Sequence, residues 1–95
     1  MLQIVHDLAP KAQLFFATAF NGPASFATNI LALRDAPNNC DVIIDDVIYS
    51  DEPAFYDGII AQAVNTVTAS GAMYFSSAGN FGSLIKNTSG VYEGD

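Results

Sequence analysis

Positive charge is almost missing from this 95-residue chain: Lys11, Arg34 and Lys86 are its only cations against ten acidic residues, for a net charge of −7. That balance argues against nucleic acid and anionic membranes as partners, because both need basic patches, although it favours solubility. Histidine and cysteine are down to one each, His6 and Cys40. A lone cysteine permits no intrachain disulfide, and beside Asp41 it reads as a small buried residue. His6 is followed by Asp7 and falls late on a helical stretch, so it reads as a helix-end surface residue and not as a general base. No apolar run approaches the ~18 residues of a membrane span. A signal-peptide pattern, an internal repeat and a low-complexity linker are also missing.

What is present is apolar for so short a chain: 51% of the residues are hydrophobic and 14% are charged. A small solvated domain needs more charge than that, so exposed apolar patches are expected, and with them self-association or strand exchange. The punctuation marks out alternating helices and strands. Leu2, Val5 and Leu8 fall at helical spacing, and Pro10 stops the helix. Gln13 to Ala19 is rich in β-formers and is expected as a first strand. Asn21-Gly22-Pro23 turns the chain, with Pro23 suited to a first helical position, and Phe26, Ile30 and Leu33 form a stripe that ends by Pro37-Asn38-Asn39. Asp41 to Ile48 contains Val42-Ile43-Ile44, the continuous apolar run of a buried parallel strand. A helix is expected from about Pro53 or Ala54 to Ser70, with Ile60, Val64 and Val67 as its stripe and Gly71 as its close, followed by a strand from Ala72 to Ser77. The order implies right-handed crossovers and a short parallel sheet of three strands, an α/β fold open at both sheet edges.

In such sheets functional loops gather beyond the C-terminal strand ends. Three segments meet there: Ala19 to Gly22, Asp46 to Pro53, and Ala78 to Phe81. The run Met73-Tyr74-Phe75-Ser76-Ser77-Ala78-Gly79-Asn80 passes from apolar residues into hydroxyls, small residues and an amide. Small residues let another chain approach the backbone, and Asn80 offers a neutral N–H donor. Asp45-Asp46 ends the preceding strand. Paired carboxylates there serve as solvated strand-end charges, as a negative wall selecting cationic side chains, or as metal or acid/base groups, and strand alternation points the two to opposite faces.

Four blocks in this order resemble the middle of the catalytic domain of subtilisin-like serine peptidases. They are Val5-His6-Asp7-Leu8-Ala9-Pro10-Lys11-Ala12-Gln13-Leu14, Phe15 to Gly22, Asp41-Val42-Ile43-Ile44, and Ser76-Ser77-Ala78-Gly79-Asn80. The resemblance implies part of a three-layer subtilisin-like fold in which Asn80 is the oxyanion-hole donor. Asp46, Val47 and Ile48 would form one wall of the primary specificity pocket and an edge that pairs with substrate, Ser77, Ala78 and Gly79 the other wall, and Asn21 and Gly22 the border of more distant subsites. It also implies a peptide or protein substrate and a parent enzyme outside the cytoplasm.

The family's triad runs Asp, then His in His-Gly-Thr, then Ser in Gly-Thr-Ser. Neither motif occurs in this chain. Aligned on the family, the His would lie a few residues before Met1 and the Ser well beyond Asp95. The chain alone is therefore expected not to hydrolyse peptides. The short passage from His6 to Pro10 leaves no room for the calcium-binding insertion of some family members, and no metal or other cofactor is expected. Asp45-Asp46 departs from the Ser and Gly residues common at this strand end in the family.

Two further classes stay open. A non-catalytic interaction module would self-associate through exposed strands as a homo-oligomer. A receiver-like phosphoacceptor domain fits Asp45 or Asp46 with Ser76 or Ser77 and Lys86, but its first strand would end in Thr18-Ala19-Phe20, without the carboxylates that hold magnesium. The polar residues 82–95 are expected to be a loose tail. Asn87-Thr88-Ser89 matches the glycosylation sequon, a pattern common by chance.

Overall fold

The computed structural model describes residues 1–77, 79 and 82. Ala78, Asn80 and nearly all of the expected tail lie outside the described residues. The elements are α1 (Leu2–Leu8), α2 (Pro23–Arg34), β1 (Val42–Ile44), α3 (Ile59–Ala69) and β2 (Met73–Phe75). The chain is a small α/β unit in which β1, α3 and β2 make a parallel crossover. Val42 pairs with Met73, Ile43 with Tyr74, and Ile44 with Phe75.

The helix signals act where the sequence puts them. Pro23 occupies the first helical turn of α2, where its missing N–H costs nothing, and Gly22 caps the helix at φ 87°, a left-handed conformation that favours glycine. At the far end of α3, Gly71 takes φ 98° and its N–H bonds the Thr68 carbonyl. The stripes of α2 and α3 face each other and the sheet. Phe26, Ala27 and Ile30 meet Ile60, Ala63 and Val67, with Ile43 and Ala72 completing the core. Ile30 and Val67 are the most deeply enclosed, each 1% exposed. Leu33 and Val64, the remaining expected stripe residues, pack at its margin.

Three boundaries differ from the sequence reading. Gln13 to Ala19 is not a strand: the described sheet has two strands, β1 and β2. Its β-forming residues have no ladder to join, since strand propensity measures fit to a neighbouring strand and not an intrinsic preference. The segment is tied instead by side chains at its end. Asn29 Nδ2 donates to the Thr18 carbonyl at 2.7 Å, and the Tyr49 hydroxyl donates to the Ala19 carbonyl. The second strand stops at Ile44 and does not reach Ile48. Asp45 N–H still bonds the Phe75 carbonyl, but its carboxylate then faces the N–H of Val47 at 3.5 Å, a local turn that competes with the ladder. Finally, α3 starts at Ile59, not near Pro53. Gly58 is the cap residue, and the Asp57 carbonyl and carboxylate accept from Gln62 and Asn65, which holds residues before it outside the helix.

Among the described residues, one face of the sheet is covered and the other is bare. Ile43 is buried under α2 and α3, whereas Val42, Ile44, Met73 and Phe75 share the opposite face and are 45% to 56% exposed. Helix α1 contributes no buried residue. Among the described residues this parallel strand pair lacks the second helical layer that such sheets carry.

Candidate functional site

The parallel register decides what meets at the strand ends. Side chains alternate along a strand, so Ile43, Asp45 and Val47 share the face turned toward the helices, and on the neighbouring strand Tyr74 and Ser76 share it too. Asp45 is thereby made the hub of a small polar cluster. The Tyr74 hydroxyl donates to Oδ2 at 2.6 Å and the Ser76 hydroxyl donates to Oδ1 at 2.9 Å. A hydroxyl donating to an ionised oxygen makes a short, strong bond. Burial first, then that bond and the nearby charges of Asp45 and Glu52, push the Tyr74 phenol well above the ordinary tyrosine range. It stays protonated as a donor at every physiological pH.

Asp45, Tyr74 and Ser76 open into a shallow hollow of about 280 Å³ with Tyr49, Glu52 and Asn65 on its wall and Phe26 and Ile60 at its base. The Tyr49 ring lies 5.6 Å from that of Phe26, tilted by 33°, which anchors the loop after β1 to α2. Tyr49 also reaches Ala19, so this one side chain links two of the three loops at the strand ends. The hollow is acidic and partly aromatic, a surface able to take the cationic end of a side chain.

The residues singled out in the sequence divide by position. Val47 is half-buried and packs at the core margin, whereas Asp46 is exposed and Ile48 is 61% exposed. Asp46 is thus the solvated carboxylate of the pair and Asp45 the bonded one. Ser77 and Gly79 are exposed, and Gly79 takes φ 80°. Asn21 is exposed beside Gly22, whose missing Cβ faces open space. Asn80 and Ala78 lie outside the described residues. The structure brings Asp45, Tyr74 and Ser76 together with Tyr49 and Glu52, a grouping the sequence reading missed, although strand alternation applied to both strands would have put Asp45, Tyr74 and Ser76 on one face.

Arg34 and Cys40 lie away from this cluster. Arg34 donates to the carbonyls of Ser70 at 2.7 Å and Cys40 at 3.1 Å, to the Ser70 hydroxyl at 2.9 Å and to Asp41 at 3.1 Å, pinning the end of α3 to the start of β1. Burial, reinforced by Asp41 and opposed by Arg34, pushes the Cys40 thiol up, away from a reactive thiolate. Among the described residues there is no group of three His, Cys, Asp or Glu side chains that could hold a metal ion, and no helix is long and apolar enough to cross a membrane.

No protein-family model matches the chain, and no curated protein or solved structure matches it either.

Proposed function

We propose that the chain is part of a subtilisin-like serine endopeptidase domain and supplies a section of its substrate cleft. The observation that carries this reading is the side-by-side placement of two parallel strand ends, Asp45 to Val47 and Ser76 to Ser77, on a sheet whose other face is bare. A peptidase cleft of this kind needs two adjacent strand ends for the walls of one pocket. It also needs helical layers on both faces of the sheet, of which the described residues provide one.

In the intact enzyme Asn80 donates its amide to the tetrahedral oxyanion, a contribution of about 3 to 4 kcal/mol to the transition state. Val47, Ile48 and the exposed Asp46 flank the substrate on one side, and Ser77, Ala78 and Gly79 on the other. Asn21 and Gly22 border the outer subsites. The chain itself carries no His-Gly-Thr and no Gly-Thr-Ser, so it lacks nucleophile and base and does not cleave peptides alone.

Reconstitution tests the proposal. The chain is mixed with a subtilase polypeptide that carries the triad segments but lacks this section, and hydrolysis of a peptide substrate is followed with a serine-directed fluorophosphonate as the control. Activity should appear on mixing and fall about 10²- to 10³-fold with Asn80→Ala. Hydrolysis by the chain alone, or a mixture in which Asn80→Ala changes nothing, contradicts the assignment. The bare apolar face also favours a second reading, a non-catalytic module that self-associates through it. That reading predicts a homo-oligomer and no reconstituted activity.

A further inference from the structure

Asn21, Asn29, Asn38, Asn39 and Asn65 are the asparagines among the described residues, and all but Asn21 have their reactive groups engaged. The side-chain amides of Asn29, Asn38 and Asn39 donate to the carbonyls of Thr18, Ala32 and Pro37, and that of Asn65 to the Asp57 carboxylate. The main-chain N–H that follows each is also taken. Ile30 lies inside α2 and Thr66 inside α3, where each N–H closes a helical turn. Those of Asn39 and Cys40 donate to the carbonyls of Asp35 and Leu33 at 3.1 and 2.9 Å.

Asn21 has neither restraint. Its side chain is exposed and makes no hydrogen bond among the described residues, and no described carbonyl accepts from the Gly22 N–H. Gly22 has no Cβ to shield its nitrogen, and nothing lies within 4 Å of where one would stand. Both flanks are fixed. The Ala19 carbonyl is held by Tyr49, and the Gly22 carbonyl accepts from the Phe26 N–H at 3.0 Å as α2 begins. One unhindered Asn-Gly pair is thus presented between an anchored segment and a helix cap.

We propose that Asn21-Gly22 is a self-modification site, at which the folded chain converts asparagine to aspartate and isoaspartate. The Gly22 nitrogen bonds to the side-chain carbonyl carbon of Asn21, and the bond from that carbon to Nδ2 breaks. The proton lost by the Gly22 nitrogen leaves with Nδ2 as ammonia, and a five-membered succinimide closes. Water then adds to one of the two ring carbonyls. Addition at the side-chain carbonyl frees the Gly22 nitrogen from it and leaves aspartate, whereas addition at the main-chain carbonyl leaves the backbone running through the side chain, as isoaspartate. Water is the only co-reactant, and no peptidase chemistry is needed. The products act on α2, which starts without a side-chain cap bond and without an acidic residue in its first turn. Aspartate brings a negative charge to that positively polarised end. Isoaspartate inserts a methylene into the main chain directly before the Gly22 cap.

The test holds the full folded chain at mildly alkaline pH beside a synthetic peptide of residues 17–25, with peptide mapping by mass spectrometry on both. The modified site gains about one dalton, as NH2 gives way to OH. Asn21 in the folded chain should convert within about tenfold of the peptide's rate, because an exposed loop end opens at little cost. Asn29, Asn38, Asn39 and Asn65 should stay intact over the same period. Asn21→Gln, whose longer side chain would have to close a six-membered ring, should abolish the mass gain with the far-UV circular dichroism unchanged. Asn21→Asp, the aspartate product made directly, should raise the urea midpoint, and a lowered or unchanged midpoint would overturn the effect on α2. Any greater slowing at Asn21, toward the roughly 10³-fold or more expected when reaction waits for global unfolding, would overturn the site. So would comparable conversion at Asn38 or Asn39.

Discussion

Breaking the bond between Tyr74 and Asp45 is the sharpest test of how the strand ends are held. Tyr74 donates to the carboxylate at 2.6 Å. A hydrogen bond to a charged partner contributes about 1.5 to 3 kcal/mol. The pair is half-buried and screened by solvent, so about 1 to 2 kcal/mol is expected for Tyr74→Phe. Asp45→Ala also loses the Ser76 contact, an exposed bond at 2.9 Å that adds little. Urea unfolding followed by circular dichroism gives both single variants and the double variant, and the cycle should return a coupling of about 1 kcal/mol. The sign of the pH dependence follows from the raised Tyr74 phenol. Its contribution is complete below the unfolded tyrosine value of about 10 and declines above it, as the unfolded chain ionises and the folded one does not. Tyr74→Phe should therefore flatten the alkaline loss of stability. A coupling below about 0.3 kcal/mol, within the additivity error of independent sites, would refute the hub.

Arg34→Ala should cost about 1.5 to 3 kcal/mol in the same assay, because it abandons the Ser70 and Cys40 carbonyls, whereas Asp41→Asn should change little, since the Asp41 side chain is 88% exposed and surface pairs contribute weakly. Ile30→Ala removes a side chain 1% exposed between both helices and β1, and a loss of about 2 to 5 kcal/mol is expected, enough to threaten a small domain. Gly58→Ala would set a Cβ 2.8 Å from Pro53 Cδ, so it should destabilise by about 1 to 3 kcal/mol and delay the start of α3, read as lost helical dichroism.

Much of the α/β layout was legible in the sequence because its signals are local. Pro23, the Phe26–Ile30 spacing, Gly71 and the Val42-Ile43-Ile44 run each specify their element without reference to distant residues. Gln13 to Ala19 was misread for the opposite reason. Phe15, Phe16 and Thr18 suit a strand, but a strand exists only with a ladder partner, and the described chain puts a cavity where that partner would lie. The start of α3 was placed too early because nothing in Pro53 to Asp57 announces that Asp57 will take Gln62 and Asn65 as partners. In the site, Asp45 is the hydrogen-bonded carboxylate and Asp46 the exposed one, whereas the resemblance singles out Asp46. Register between strands is a non-local property, and it was the register that paired Asp45 with Tyr74 and Ser76.

The bare sheet face formed by Val42, Ile44, Met73 and Phe75 is where the account is most exposed to test. Light scattering on the purified chain over a range of concentrations, with circular dichroism on the same samples, measures whether that face finds a cover. A folded species heavier than one chain is predicted, its mass falling on dilution. A monomer that unfolds cooperatively and binds no apolar dye would show a complete small domain, and would contradict both the missing helical layer and the peptidase reading built on it.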